Sequence, residues 1–242
     1  MFIGHIAVGL AAKRVAPRTS LGTLAVAVEF TDLLWPIFLL LGWEQVRIVP
    51  RITVVTPLNF VSYPISHSLL ADIGWASLLA GLYLILKRYP KGAFVVWACV
   101  MSHWILDVIS HRPDMPLYPG GRVFVGLGLW NSLPGTLLVE GAMFAAGVAI
   151  YLRSTRAKDK TGVIAFWALI IVFVIFYLAN VFGPPPPSLK ALKITALCGW
   201  LFVPWFYWID RHRPAISVEE PNTKAALSGS GEINPAQTFD QD

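Results

Sequence analysis

His103, Asp107 and His111 recur at positions i, i+4 and i+8. On a helix of 3.6 residues per turn this spacing sets two imidazoles and a carboxylate in one stripe, drifting by about 80° along its length. Glu29 and Asp32 stand three apart and share a helical face in the same way. His67 opens another apolar run inside Ser66-His67-Ser68, His5 lies near the N-terminus, and Asp72 and Glu140 interrupt apolar runs of their own. A group of imidazoles and one or two carboxylates is what a divalent cation of hard-to-borderline character needs, and Zn²⁺ suits that set best. Binding would neutralise the acids, and water on such an ion is acidified to a pKa of about 7, which makes it a hydroxide nucleophile.

The elements that carry these residues are apolar. Of 242 residues 56% are hydrophobic and 14% charged, against about 45–50% and about 25% in an ordinary soluble domain. That excludes a soluble globular enzyme, a disordered regulator and a disulfide-rich secreted module. The net charge is +5, but the basic residues sit in short loops between long apolar runs. This pattern orients a membrane protein and leaves no nucleic-acid surface. Cys99 and Cys198 lie inside apolar runs and read as small core residues. Lys13 and Arg14 follow the first apolar stretch instead of preceding it, so no signal peptide is expected.

A bilayer core about 30 Å thick takes around 20 residues of helix. Six runs meet that length: Leu21–Trp43, Ser66–Leu86, Gly92–His111, Leu133–Leu152, Gly162–Phe182 and Ala191–Ile209. A shorter apolar helix, Phe2–Ala12, precedes them and either dips into the membrane or re-enters. The expected fold is an all-α membrane protein of about six transmembrane helices plus this short N-terminal helix. Alternate segments, before the first span, at 87–91, at 153–161 and after the sixth span, hold twelve basic residues against six in the opposite set. The basic-rich loops are therefore expected in the cytoplasm, and the loops at 44–65, 112–132 and 183–190 outside. Segment 112–132 is rich in Pro and Gly and reads as a structured turn or hairpin. Residues 214–242 read as a disordered polar tail.

Ionisable groups within spans are costly, at about 2.5–3.5 kcal/mol for an Asp at mid-membrane, and mark functional positions by default. Here they crowd into the N-terminal two-thirds. Followed through the alternating spans, Asp107, His111, His67, Asp32 and Glu140 come to one layer on the outward side of the midplane, and His5 joins them if its segment starts outside. Blander arrangements compete. His103 and Asp107 could be a helix-to-helix hydrogen-bonded pair, Glu140 could pair with Arg122, and Asp72, about 140° around the helix from His67, reads as structural.

The order of these elements resembles the YdjM-type family of LexA-binding, inner-membrane-associated metal-dependent hydrolases. The resemblance rests on Gly4-His5, on FTDLLWP at 30–36, on SYPISHSLL at 62–70 and on SHWILDVISHRPDMPLYPGG at 102–121. It covers residues 1–152; 153–213 add two transmembrane helices with no motif. It implies a bacterial-type inner membrane and functional positions at His5, Asp32, His67, Ser68, His103 and Asp107. Ser62 and Leu34 stand where the family has further ligands.

The expected function is that of an integral membrane metal-dependent hydrolase. His5, Asp32, His67, His103 and Asp107 would hold a divalent ion, with Zn²⁺ preferred. His111 would be a further ligand or a proton shuttle, and Glu29 or Glu140 the general base. The substrate would be a lipid or lipid-linked phosphate or ester, with Arg112 and Arg122 available for an anionic headgroup. No HExxH and no G-x-S-x-G occurs. Two other readings remain open: a non-catalytic membrane scaffold with a structural metal, and a transporter or ion-binding protein.

Overall fold

The computed structural model describes residues 1–216. The expected tail falls outside the described residues from 217 onward. Pro214 to Ile216 are described, and Ala215 pairs with Thr155 in an isolated β-bridge.

The chain folds as α1 (Ile3–Val15), α2 (Leu21–Val28), α3 (Phe30–Leu41), β1 (Gln45–Ile48), β2 (Leu58–Ser62), α4 (Leu69–Lys87), α5 (Pro90–Ser110), β3 (Met115–Pro116), β4 (Phe124–Val125), α6 (Leu133–Ser154), α7 (Lys160–Phe182), α8 (Leu189–Leu197) and α9 (Phe202–His212). It is an all-α membrane protein with two small hairpins. Four single helices and the α8–α9 stretch are each long and apolar enough to cross a bilayer, and the bent pair α2–α3 makes a sixth candidate span.

Two of the six expected spans are not continuous helices. The run Leu21–Trp43 breaks at Glu29 (φ −104°, ψ 7°), and its halves meet at 55°. Pro36 inside α3 further removes an N–H from the helix ladder. The run Ala191–Ile209 is interrupted by a 3₁₀ turn at Cys198–Leu201, which leaves Cys198 exposed instead of in the core. The short N-terminal segment extends to Val15 as a helix of 13 residues. That is about 20 Å, too short to cross the hydrocarbon core.

Local chemistry fixes where the helices start. Ser20, Ser68, Ser132, Asp159 and Ser188 each accept the N–H three residues on, at α2, α4, α6, α7 and α8. Ser68 also donates to the Pro64 carbonyl. Its hydroxyl is thus engaged in capping α4.

Helix α1 is buried between α2, α5 and α6. Ile3, Ile6, Ala7 and Leu10 pack with Phe144, Tyr151, Phe166 and Phe173, while Ala12 and Ala16 pack into a second core with Val96, Cys99 and Val100. The α1–α6 approach depends on Gly147, where a Cβ would stand 2.5 Å from the Ala7 carbonyl oxygen. Small residues let membrane helices approach this closely. Gly147→Val is therefore expected to cost about 1–3 kcal/mol through overpacking, and to displace His5, two residues from the contact. A lowered melting temperature in detergent together with weakened Zn²⁺ binding is the expected result.

The hairpins lie at one end of the bundle. β1 pairs antiparallel with β2, and β3 with β4. The second hairpin falls within the expected structured segment 112–132; the first lies in a stretch read only as loop. Val46, Phe60, Tyr63, Met115 and Val125 pack beneath them on Trp35 and Leu39. Polar residues tie the opposite end. Lys13 donates to Asp210 (2.6 Å) and to the Thr19 carbonyl (2.9 Å), and His212 meets Asp159 at 2.7 Å.

Candidate metal centre

The stripe on α5, the α2–α3 break, the start of α1 and the turn before α4 converge below the hairpins. Asp107 is the hub. Its Oδ1 lies 3.1 Å from His5 Nε2, and its Oδ2 lies 3.2 Å from His103 Nε2, 3.7 Å from His67 Nε2 and 4.0 Å from His111 Nε2. The Met1 nitrogen also contacts Oδ1. Asp32 closes the group, 3.2 Å from His67 Nε2 and 3.8 Å from His103 Nε2. All five expected ligands are brought together, with His111 at the edge.

The orientation of the rings is as informative as their proximity. His103 Nδ1 donates to the Val28 carbonyl at 2.6 Å. His111 Nδ1 meets Asp114 Oδ1 at 3.1 Å. His67 Nδ1 lies 2.6 Å from Ser66 Oγ. These three rings thus spend Nδ1 on an outer partner and turn Nε2 inward, the arrangement in which metal-bound histidines are held, whereas His5 Nδ1 is buried without a partner among the described residues. His103 Nε2 is buried without a hydrogen-bond partner among the described residues. The His5 and His103 rings stack 3.8 Å apart at 8°.

These residues fit a divalent ion. Two groups of three ligand atoms, from His5, His103 and Asp107 and from Asp32, His67 and His103, each lie within 4.8 Å of one another. Zn–N distances of about 2.0–2.1 Å in a tetrahedron put ligand atoms about 3.3 Å apart, and the separations of His5 and His103 from Asp107 are close to that. His103 belongs to both groups, and His67 of the second lies 3.7 Å from Asp107 of the first, so the two groups join into one centre.

Asp107 is 4% exposed at its side chain and Asp32 is 42% exposed. The centre therefore opens on the Asp32 side, at the bend between α2 and α3. A cavity of about 810 Å³ lies elsewhere, between residues 51–58 and 183–187, and no ligand residue lines it.

The remaining expected residues divide. Glu29 sits at the helix break with its Oε1 buried and unpartnered among the described residues. Glu140 is not directed to the histidines and accepts the Phe2 N–H at 2.9 Å. Arg122 is exposed. Arg112 is also not free for a headgroup, because it donates to Asp114 (3.0 Å) and Asn59 (2.5 Å), joining the two hairpins. Asp72 is fully buried with both oxygens unpartnered among the described residues.

Three residues missed in the sequence complete the surround: Glu44, Tyr63 and Asp114. Burial would raise the Asp114 carboxyl, but hydrogen bonds from His111, Arg112 and Tyr63 outweigh it and hold the group below its ordinary value. Burial and the adjoining Asp114 push the Tyr63 phenol well above its ordinary range, so it stays a donor, 3.0 Å from Asp114. Asp114 follows His111 by three residues, a signal present in the sequence. Glu44 is separated from His67 by 22 residues and a hairpin, and no local pattern marks it.

Comparison with protein-family models, with curated proteins and with solved structures gave no match. Fold and site together define a multi-pass α-helical membrane protein with a buried His/Asp centre.

Proposed function

We propose that this protein is a metal-dependent hydrolase of a bacterial-type inner membrane, with one divalent ion, Zn²⁺ by preference, held by His5, His67, His103 and Asp107 and completed by Asp32. The observation that carries the reading is the convergence of four Nε2 atoms and two carboxylates from α1, α3, α5 and the turn before α4. The resemblance of residues 1–152 to the YdjM-type family supports the same reading. When bound, the ion supplies an acidified water near neutral pH and polarises the bond to be cleaved.

The chain's own groups supply the rest. Glu29 keeps an uncommitted carboxylate oxygen beside Asp32 and is the better proton acceptor of the two expected bases, since Glu140 is spent on Phe2. His111, at the edge of the group and backed by Asp114, is placed to pass a proton toward the hairpin end. The opening at Asp32 lies within a candidate span, which favours a lipid or lipid-linked phosphate or ester entering from the bilayer. The twelve-to-six distribution of basic residues puts the hairpin end outside.

The test is turnover in mixed micelles. Zn²⁺-loaded protein is expected to release phosphate or fatty acid from a lipid phosphate or lipid ester, and to stop on chelation or on His103→Ala. Metal-loaded protein that turns over neither class would favour a second reading, a scaffold with a structural metal, which the near-complete burial of Asp107, His5 and His103 supports.

A further inference from the structure

Glu44 is 2% exposed, immediately before β1, and has no Lys, Arg or His ion-pair partner among the described residues. A buried carboxylate without a counter-charge is costly unless fully hydrogen-bonded. Here the bonds converge on one turn. Oε1 accepts the N–H groups of Ile65 (2.8 Å) and Ser66 (2.7 Å), and Oε2 accepts the Ser66 hydroxyl at 2.6 Å.

The direction of the next bond follows from proton counting. A carboxylate only accepts, so Ser66 gives its single proton to Glu44. Toward His67 Nδ1, 2.6 Å away, Ser66 Oγ can then only accept. Nδ1 must carry a proton, which leaves Nε2, 3.2 Å from Asp32 and 3.7 Å from Asp107, as the nitrogen for a cation; without one, a second proton on Nε2 answers the two carboxylates.

We infer that Glu44 is a positioning residue for His67, acting through Ser66 to fix the ring orientation and the tautomer that presents Nε2 to the cation. The inference rests on the metal reading above for its consequence, but the proton on Nδ1 is a property of the metal-free protein. His103 reaches the same orientation through the Val28 carbonyl and His111 through Asp114. His67 does so through a side chain distant in sequence, which makes the relay separable by mutation.

Glu44→Gln is the informative substitution. Its amide oxygen can still hold the two backbone N–H groups, but its NH₂ then faces Ser66 Oγ as a donor. Ser66 must turn its proton onto Nδ1, and the ring shifts to the Nε2–H form that cannot bind a cation. Ser66→Ala cuts the relay while leaving Glu44 on the Ile65 amide. The double variant removes the reversed donor and should bind better than Glu44→Gln alone.

Two measurements test this: whether His67 Nδ1 carries a proton, by ¹⁵N NMR of metal-free protein, and Zn²⁺ affinity by competition with a chromophoric chelator. The wild type is expected to carry the Nδ1 proton and Glu44→Gln to carry a proton on Nε2 alone. Affinity should fall about 10–100-fold in Glu44→Gln, with partial recovery in Glu44→Gln/Ser66→Ala. Unchanged protonation of Nδ1 in Glu44→Gln, or in Ser66→Ala should the first variant not fold, overturns the inference. A wild type that carries the Nδ1 proton but binds no Zn²⁺ overturns the metal reading and leaves the relay standing.

Discussion

Asp107→Asn is expected to lower the Zn²⁺ affinity of the purified protein by more than about a hundredfold while the helical bundle persists. Loss of a group that merely orients a ligand costs about 10–100-fold. Asp107 is more central than that, since both of its oxygens face imidazoles and four histidines surround it. Asparagine keeps the shape and one carbonyl oxygen but removes the charge that draws the four Nε2 atoms to one point. The fold should survive because the packing around α5 is apolar, through Val96, Cys99 and Val100. Chelator competition reads the affinity, and far-ultraviolet circular dichroism reads the helices. An Asp107→Asn protein that binds as the wild type does would remove the hub from the account.

Chelation is expected to lower the melting temperature of the wild type by about 10 °C. The centre buries carboxylates; among the described residues the Met1 ammonium answers one oxygen of Asp107 and no Lys or Arg joins it at the centre, so a bound cation offsets the rest of that burial. An ion present at a thousand times its Kd stabilises the folded state by about 4 kcal/mol. For a chain of this length each kcal/mol moves the melting temperature by about 2–4 °C. Tryptophan fluorescence in detergent, with Zn²⁺ or with excess chelator, measures the difference. In Asp107→Asn the two curves should coincide. Coincident curves in the wild type would mean that the acids are accommodated by the protein alone.

Much of this architecture was legible because a membrane span declares itself by length and hydropathy. The runs that became α4, α5, α6 and α7 needed no tertiary information. The break at Glu29 was not legible, because residues 21–43 are apolar on both sides of it and no Gly or Pro stands at 28–30. The candidate ligands were readable from their cost: an acid or imidazole in an apolar run is conspicuous whatever its partner. Their partners were not readable. Glu140 and Arg112 looked available for chemistry, yet one holds the start of α1 and the other joins the hairpins. Glu44 had no conspicuous setting, as it sits in a loop where acids are ordinary. Only the fold of β1 and β2 carries it under Ser66.

The central claim is that side chains from separate helices share one cation, and X-ray absorption at the zinc edge tests it most directly. Zn²⁺-loaded protein should show one ion per chain in a shell of nitrogen and oxygen at about 2.0–2.1 Å, with the outer scattering of at least three imidazoles, reduced by one in His103→Ala. A protein that retains no zinc, or holds it without imidazole scattering, would contradict the shared centre.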